Sequence, residues 1–307
     1  MVIVPTLTFI AAVNPVRYVG ADPVFLDCDD SLCICPQELE RYLQTKCEMR
    51  NDGKLYDITQ NRPVKALIVV HVYGNGADMQ QIMRLANQHN LLVIEDATEA
   101  MGSFYTGGVY KGKMCGTIGS LGAYSFNGNK IITTGGGGML TSLDPQVLNR
   151  ARHLSTQAKV NEFYYMHDEV GYNYRLTNLQ AALGVAQLEQ IQKFIQIKKD
   201  NFEHYLKCGV ELLPFSDRIC PNYWFYSYLC EDRDGLMQYL AAQKIQVRPL
   251  WGLVHEQPMY RDCTVYKVER AKYYQSHVVN LPCSSNLTKK DVEQVADAIH
   301  QFKKEQG

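Results

Sequence analysis

The stretch Gly122-Ala-Tyr-Ser-Phe-Asn-Gly-Asn-Lys-Ile-Ile-Thr-Thr-Gly-Gly-Gly-Gly-Met139 constrains this chain more than any other. It enters as an apolar strand, passes through a short polar loop with a single lysine, and leaves through a glycine run into a second apolar strand. A lysine between two buried strands is costly to place unless it is exposed or put to chemical use. Two readings of Lys130 follow. One is a solvated loop lysine, the common fate of this residue type. The other is an imine-forming lysine, held where a carbonyl cofactor can reach it.

A second stretch bears on that choice. Leu91-Leu-Val-Ile-Glu-Asp-Ala-Thr-Glu99 reads as a buried strand ending in carboxylates. In an open α/β sheet, ligands bind in the crevice at the carboxyl ends of the strands. Pyridoxal phosphate needs a lysine for the imine, an acid for its pyridine nitrogen and donors for its phosphate. Lys130, Asp96 and Ser125, with the glycine-rich backbone, could supply all three. Taken alone, Asp96 reads equally well as a helix N-cap after the strand. The combination carries the argument.

Around these two stretches the chain alternates strands and helices. Strands are expected at Val2–Val4, Pro23–Asp27, Ala66–Tyr73, Leu91–Glu95, Gly122–Phe126 and Gly138–Ser142. Ala66–Tyr73 is almost entirely apolar, as a strand buried on both faces should be; His71 near its end reads best as a satisfied core histidine. Helices are expected at Pro36–Lys46, from Asp78 (capped with Gln81) to about Gln88, and after Asp144-Pro145. Such alternation argues for a mainly parallel sheet with right-handed crossovers. Glu48–Arg62, with its Asn51-Asp-Gly53 turn signal, reads as a surface hairpin, and Gln157–Glu169 as a loop. Thr177 and Gln180 form a capping box before one long helix whose apolar positions are Leu179, Leu183, Ala186, Ile191 and Ile195. From about Asp200 a smaller α+β unit is expected, ending in a helix capped near Thr288 by Asp291. The domain expectation is therefore residues 1–195 and 196–307.

With 307 residues, the chain can hold one large core or two domains. A net charge of −1 gives no reason to expect nucleic acid or an anionic membrane as partner. No apolar run approaches the roughly 20 residues that span a bilayer. The ten cysteines lack metal spacing apart from an incidental Cys33-Ile-Cys35, and no metal site is expected. No signal-peptide pattern is seen, so they read as reduced thiols of a cytoplasmic protein. Gly74-Asn-Gly76 is the sole hint of a nicotinamide site and fails as a fingerprint, because no third glycine follows at the right spacing.

Pro5-Thr-Leu-Thr-Phe9, Glu95-Asp-Ala97, Ser125-Phe-Asn-Gly-Asn-Lys130, Thr133-Thr-Gly-Gly-Gly-Gly-Met139 and Gly171-Tyr-Asn-Tyr-Arg-Leu-Thr-Asn178 together resemble the nucleotide-sugar aminotransferases of the DegT/StrS type. The resemblance runs in order through nearly the whole chain. It implies a fold-type-I α/β enzyme dependent on pyridoxal phosphate, with glutamate as amino donor and active sites shared in a homodimer. The branch it resembles most aminates 4-keto-6-deoxy acetamido sugars for surface glycans. By the same resemblance, Lys130 forms the imine and moves a proton at the sugar C4 carbon. Asp96 pairs with the pyridine nitrogen, Phe9 stacks on the ring, and Ser125 binds the phosphate. Asn173 reaches the phosphate of the neighbouring subunit, with Arg175 a weaker candidate. Glu99 stands beside the cofactor where many relatives have Gln or His, and Gly136 where Glu is common.

Relatives also carry a segment before the first strand, including a Gly-Thr-x-Ala-Leu turn whose backbone N–H groups hold the phosphate. The resemblance therefore implies a six-stranded sheet with Gly138–Ser142 at an uncovered edge, and weakened cofactor binding. The competing reading is a non-catalytic chain of the same fold, either truncated or a nucleotide-sugar sensor.

Overall fold

The computed structural model describes residues 1–161 and 163–306. Its centre is a seven-stranded sheet. From one edge to the other, the strands are Gly138–Thr141, Leu121–Ser125, Leu92–Asp96, Ala66–Val70, Val2–Pro5, Pro23–Leu26 and Thr264–Tyr266. All neighbours pair in parallel except Gly138–Thr141, which runs antiparallel to Leu121–Ser125. The three strands Val2–Pro5, Pro23–Leu26 and Ala66–Val70 are buried almost throughout, as strands covered on both faces require.

The sheet corrects the six-strand expectation. Its seventh strand comes from the far end of the chain, where Thr264–Tyr266 adds to the open side of Pro23–Leu26. Gly138–Thr141 does lie at an edge, with Met139 and Leu140 about half exposed.

Helix starts follow local chemistry. Asp78 accepts from Gln81 N, Asp144 from Gln146 N, and Thr177 with Gln180 forms a complete capping box. The long helix expected after Thr177 is instead two, Asn178–Leu188 and Ile191–Lys207, because Gln190 leaves the helical conformation between them. The first of the two buries none of its residues. Glu48–Arg62 is part of a three-stranded antiparallel sheet, Cys47–Met49, Leu55–Asp57 and Arg62–Val64. Within the expected loop 157–169, Lys159–Asn161 pairs with Met166–His167 as a short antiparallel ribbon.

Two cores result. The larger surrounds the sheet. The smaller gathers Phe202, Tyr205, Tyr226, Leu236, Leu240 and Ile299 around the strand pair Tyr226–Leu229 and Val278–Leu281. All ten cysteines are free thiols. No described helix is long and apolar enough to cross a membrane.

Candidate active site

Adjacent parallel strands bring the first two candidate residues together. Asp96 ends Leu92–Asp96 and stands in register with Ala123 of Leu121–Ser125, so Ser125 closes the next strand at the same end of the sheet. Asp96 Oδ1 accepts from Thr98 N at 3.0 Å, and Ser125 Oγ accepts from Asn127 N at 3.2 Å. These contacts orient both side chains at the rim where an α/β sheet binds ligands.

The residue beside Asp96 anchors this rim from below. Glu95 is fully buried, and its carboxylate accepts from Gly116 N at 2.9 Å, Ile118 N at 2.6 Å and Gly119 N at 2.5 Å. It also pairs with His71 Nε2 at 2.9 Å. Because His71 Nδ1 accepts from Ala77 N, the ring proton sits on Nε2 and is donated to Glu95. Burial opposes ionisation of Glu95, but His71 and the backbone donors more than offset it and hold its carboxyl below the usual range.

Lys130 lies over the crevice. Its side chain is 12% exposed, and its Nζ sits 3.9 Å from Glu99 Oε1 and 4.3 Å from the centre of the Trp224 ring. The solvated-loop reading of this lysine does not describe that environment. Glu99 is buried, with Oε2 accepting from Tyr73 N at 2.9 Å. Burial pushes the Glu99 carboxyl up to about 8, with Lys130 pulling it down and Asp96 pushing it up.

Trp224, Tyr73 and Asn222 were not singled out as site residues in the sequence. Asn222 is the fastener. Its Nδ2 donates to the carbonyls of Glu99 and Met101 at 2.9 and 3.0 Å, and its backbone N donates to Ser103 Oγ at 2.9 Å. The chain two residues later then places the Trp224 indole over Lys130, with Nε1 donating to Asn129 O at 2.9 Å. A Cβ at Gly74 would meet Asn222 Oδ1 at 2.0 Å, so only glycine allows this approach. Gly74-Asn-Gly76 is thus explained by packing. The one available signal for Trp224 was its rarity, since the chain has two tryptophans.

The other candidates are less central. Phe9 is more than half exposed and joins Lys130 only through a row of rings. Its ring is 6.3 Å from Trp251, which is 4.7 Å from Tyr73, which is 6.0 Å from Trp224. Asn173 does not join the Lys130 group. With Arg175 it lines a groove of about 920 Å³ along the sheet edge, where its backbone bridges Thr156. Gly136 has open space apart from Gln180 Nε2, which a Cβ would meet at an ordinary 3.7 Å.

The donor set fits pyridoxal phosphate: a shielded amine, carboxylates at a strand end, and a rim hydroxyl beside a glycine run. When bound, that cofactor supplies an aldehyde for the amine and a ring that draws electrons from the bond being broken.

Comparison with known proteins agrees. The family model described as the DegT/DnrJ/EryC1/StrS aminotransferase family matches residues 1–300. The chain is 37% identical to the GDP-perosamine synthase of Escherichia coli O157:H7, over 98% of this chain and 78% of the relative. It is 36% identical to a Bacillus subtilis (strain 168) protein named as a pyridoxal phosphate-dependent aminotransferase, EpsN, over 96% of this chain and 75% of the relative. The crystal structure of a DegT DnrJ EryC1 StrS aminotransferase from Brucella abortus superposes with a TM-score of 0.87 at 27% identity, covering 98% of this chain and 79% of that one. The fold is accordingly that of the fold-type-I enzymes. With a matching family model, these relatives and a shielded lysine among strand-end carboxylates, the chain belongs to the DegT/DnrJ/EryC1/StrS family and is a pyridoxal phosphate-dependent sugar aminotransferase.

Proposed function

We propose that the protein transfers an amino group from glutamate to the C4 carbon of a nucleotide-linked 4-keto-6-deoxy sugar destined for a surface glycan. The observation that carries the site assignment is the Lys130 amine, shielded under Trp224 and faced by Glu99 at the rim that also holds Asp96. In this reading Lys130 Nζ takes up the cofactor aldehyde and later moves the proton at C4. Asp96 keeps the pyridine nitrogen protonated, and Ser125 with the glycine run holds the phosphate. Phe9 borders the ring, Glu99 flanks the cofactor, and Trp224 excludes water from the amine.

The likeness to a GDP-perosamine synthase favours a guanosine diphosphate sugar over the acetamido sugars that the sequence motifs suggest. The test offers the cofactor-loaded protein glutamate with GDP-linked and UDP-linked 4-keto-6-deoxy sugars, with and without an acetamido group. Aminated GDP-sugar matched by equal 2-oxoglutarate is expected. Amination of the UDP-acetamido sugar alone would return the assignment to the other branch, and no product from a loaded protein contradicts the proposal.

Two chains per functional unit are part of the same proposal. The edge residues Met139 and Leu140 and the helix residues Leu179, Leu183, Val185 and Leu188 are all exposed, a run of apolar surface suited to a partner. The groove beside them carries Asn173. A second copy seated there would bring Asn173 to its neighbour's site under C2 symmetry. Mixing inactive Lys130→Ala and Asn173→Ala chains then restores activity in the hybrid; proven heterodimers without recovery would place Asn173 in its own chain's site or outside it. The division at 1–195 and 196–307 is supported by the second core, although Thr264–Tyr266 returns to the large sheet. A cytoplasmic location is supported by ten free thiols.

A further inference from the structure

We infer that Glu99 is the internal proton acceptor for Lys130, the carboxylate that takes the ammonium proton when the amine condenses with an aldehyde. The inference rests on Lys130 being the imine-forming lysine. Glu99 acts through that lysine, so it is a positioning residue.

The geometry gives the two Glu99 oxygens different tasks. Oε2 is held by Tyr73 N at 2.9 Å, and the Glu99 backbone carbonyl is held by Asn222 Nδ2 at 2.9 Å. Oε1 is left facing Lys130 Nζ at 3.9 Å. Closing that gap to a hydrogen bond needs a movement of about 1 Å, within reach of a lysine side chain. The Trp224 ring closes the other side of the amine, and it is itself fixed through Asn129 and Asn222. A shielded ammonium cannot shed its proton to bulk water as readily as an exposed one. An adjacent carboxylate gives the proton a local destination.

The charge and atom balance is simple. Lys130 begins with three N–H bonds. Condensation forms the carbon–nitrogen double bond and breaks the carbonyl carbon–oxygen bond. The oxygen leaves as water with two of the three protons, and the third passes to Glu99 Oε1. Nothing is oxidised or reduced.

The step has a pH signature. The titratable groups around Glu99 are Lys130, Asp96 and Tyr73. The Tyr73 phenol accepts from Asn280 Nδ2 at 3.0 Å, and burial keeps it neutral. With its carboxyl near 8, Glu99 is mostly ionised at pH 8.5 and ready to receive a proton. At pH 6.5 it already holds one, and the ammonium proton must leave for the buffer.

The experiment counts protons released as pyridoxal phosphate is added to the protein. Calorimetry in buffers of different ionisation enthalpy reads the count, and the visible absorbance band matches the imine protonation between samples. At pH 8.5, Glu99→Gln is expected to release at least about half a proton per site more than the parent. At pH 6.5 the two should agree. Equal release at both pH values, with an adduct on Lys130 in both proteins, overturns the inference and leaves the site assignment standing. No adduct on Lys130 in the parent overturns both. If the variant does not bind, the parent alone decides: its release must rise as pH falls from 8.5 to 6.5, and a pH-independent release contradicts the inference.

Discussion

Two lysines, Lys198 buried and Lys130 partly shielded, differ in what surrounds their nitrogens. Lys198 Nζ donates to the carbonyl of Trp224 at 3.1 Å and also to that of Cys283, with the Tyr226 ring 5.6 Å away. No carboxylate pairs with it among the described residues, and burial lowers its pKa. Lys130 Nζ has no hydrogen-bond partner among the described residues, only Glu99 at 3.9 Å and the Trp224 face. A lowered pKa by itself would nominate Lys198 as the nucleophile. Its donors, however, are committed to carbonyls that would be orphaned if it moved. Lys130 can leave its place without stranding a buried acceptor other than Glu99, which can be satisfied by a proton. Depth and committed donors suit one lysine to a strut; an uncommitted nitrogen suits the other to the proposed role of reagent. The two are linked, because the carbonyl that Lys198 grips belongs to the tryptophan lying over Lys130.

The largest expected effect falls on the reagent side of this comparison. Asp96→Asn should lower turnover by roughly two to four orders of magnitude, the range for losing a positioned acid–base group, while thermal unfolding stays near the parent value. Near-parental kcat would place the pyridine partner elsewhere. The smaller effect falls on the strut. Lys198→Met should reduce stability by about 1–3 kcal/mol for each carbonyl left without a donor, read in denaturant unfolding, and still form the cofactor adduct on Lys130. An unchanged midpoint would show that Lys198 is no strut, and a lost adduct would break the distinction between the two lysines.

What could be read in advance follows from how local each feature is. Asp96 and Ser125 come to one rim because each ends its own strand, and such strands are visible as short apolar runs; Lys130 follows Ser125 in the loop after the same strand. The environment of Glu99 and Lys130 was not readable, because it is made by Tyr73 and Asn222 at Glu99 and by Trp224 at Lys130, from separate parts of the chain. Tyr73 also adopts a left-handed backbone at φ 58, which no pattern of side chains announces. The seventh strand escaped notice for a different reason. Thr264–Tyr266 is three residues long, too short to show a period, and only the open side of Pro23–Leu26 makes it a strand. The helix Asn178–Leu188 has the expected cap and apolar residues, yet it buries none of them in one chain. Sequence period records that a face is apolar, not whether its partner belongs to the same molecule.

The central claim is that Lys130, rather than the more deeply buried Lys198, holds the cofactor. Borohydride reduction of the protein loaded with pyridoxal phosphate, followed by digestion and mass mapping, tests it directly. The account predicts loss of the visible band and a single reduced phosphopyridoxyl adduct on the peptide containing Lys130. An adduct on Lys198 or any other lysine, with Lys130 unmodified, would contradict it.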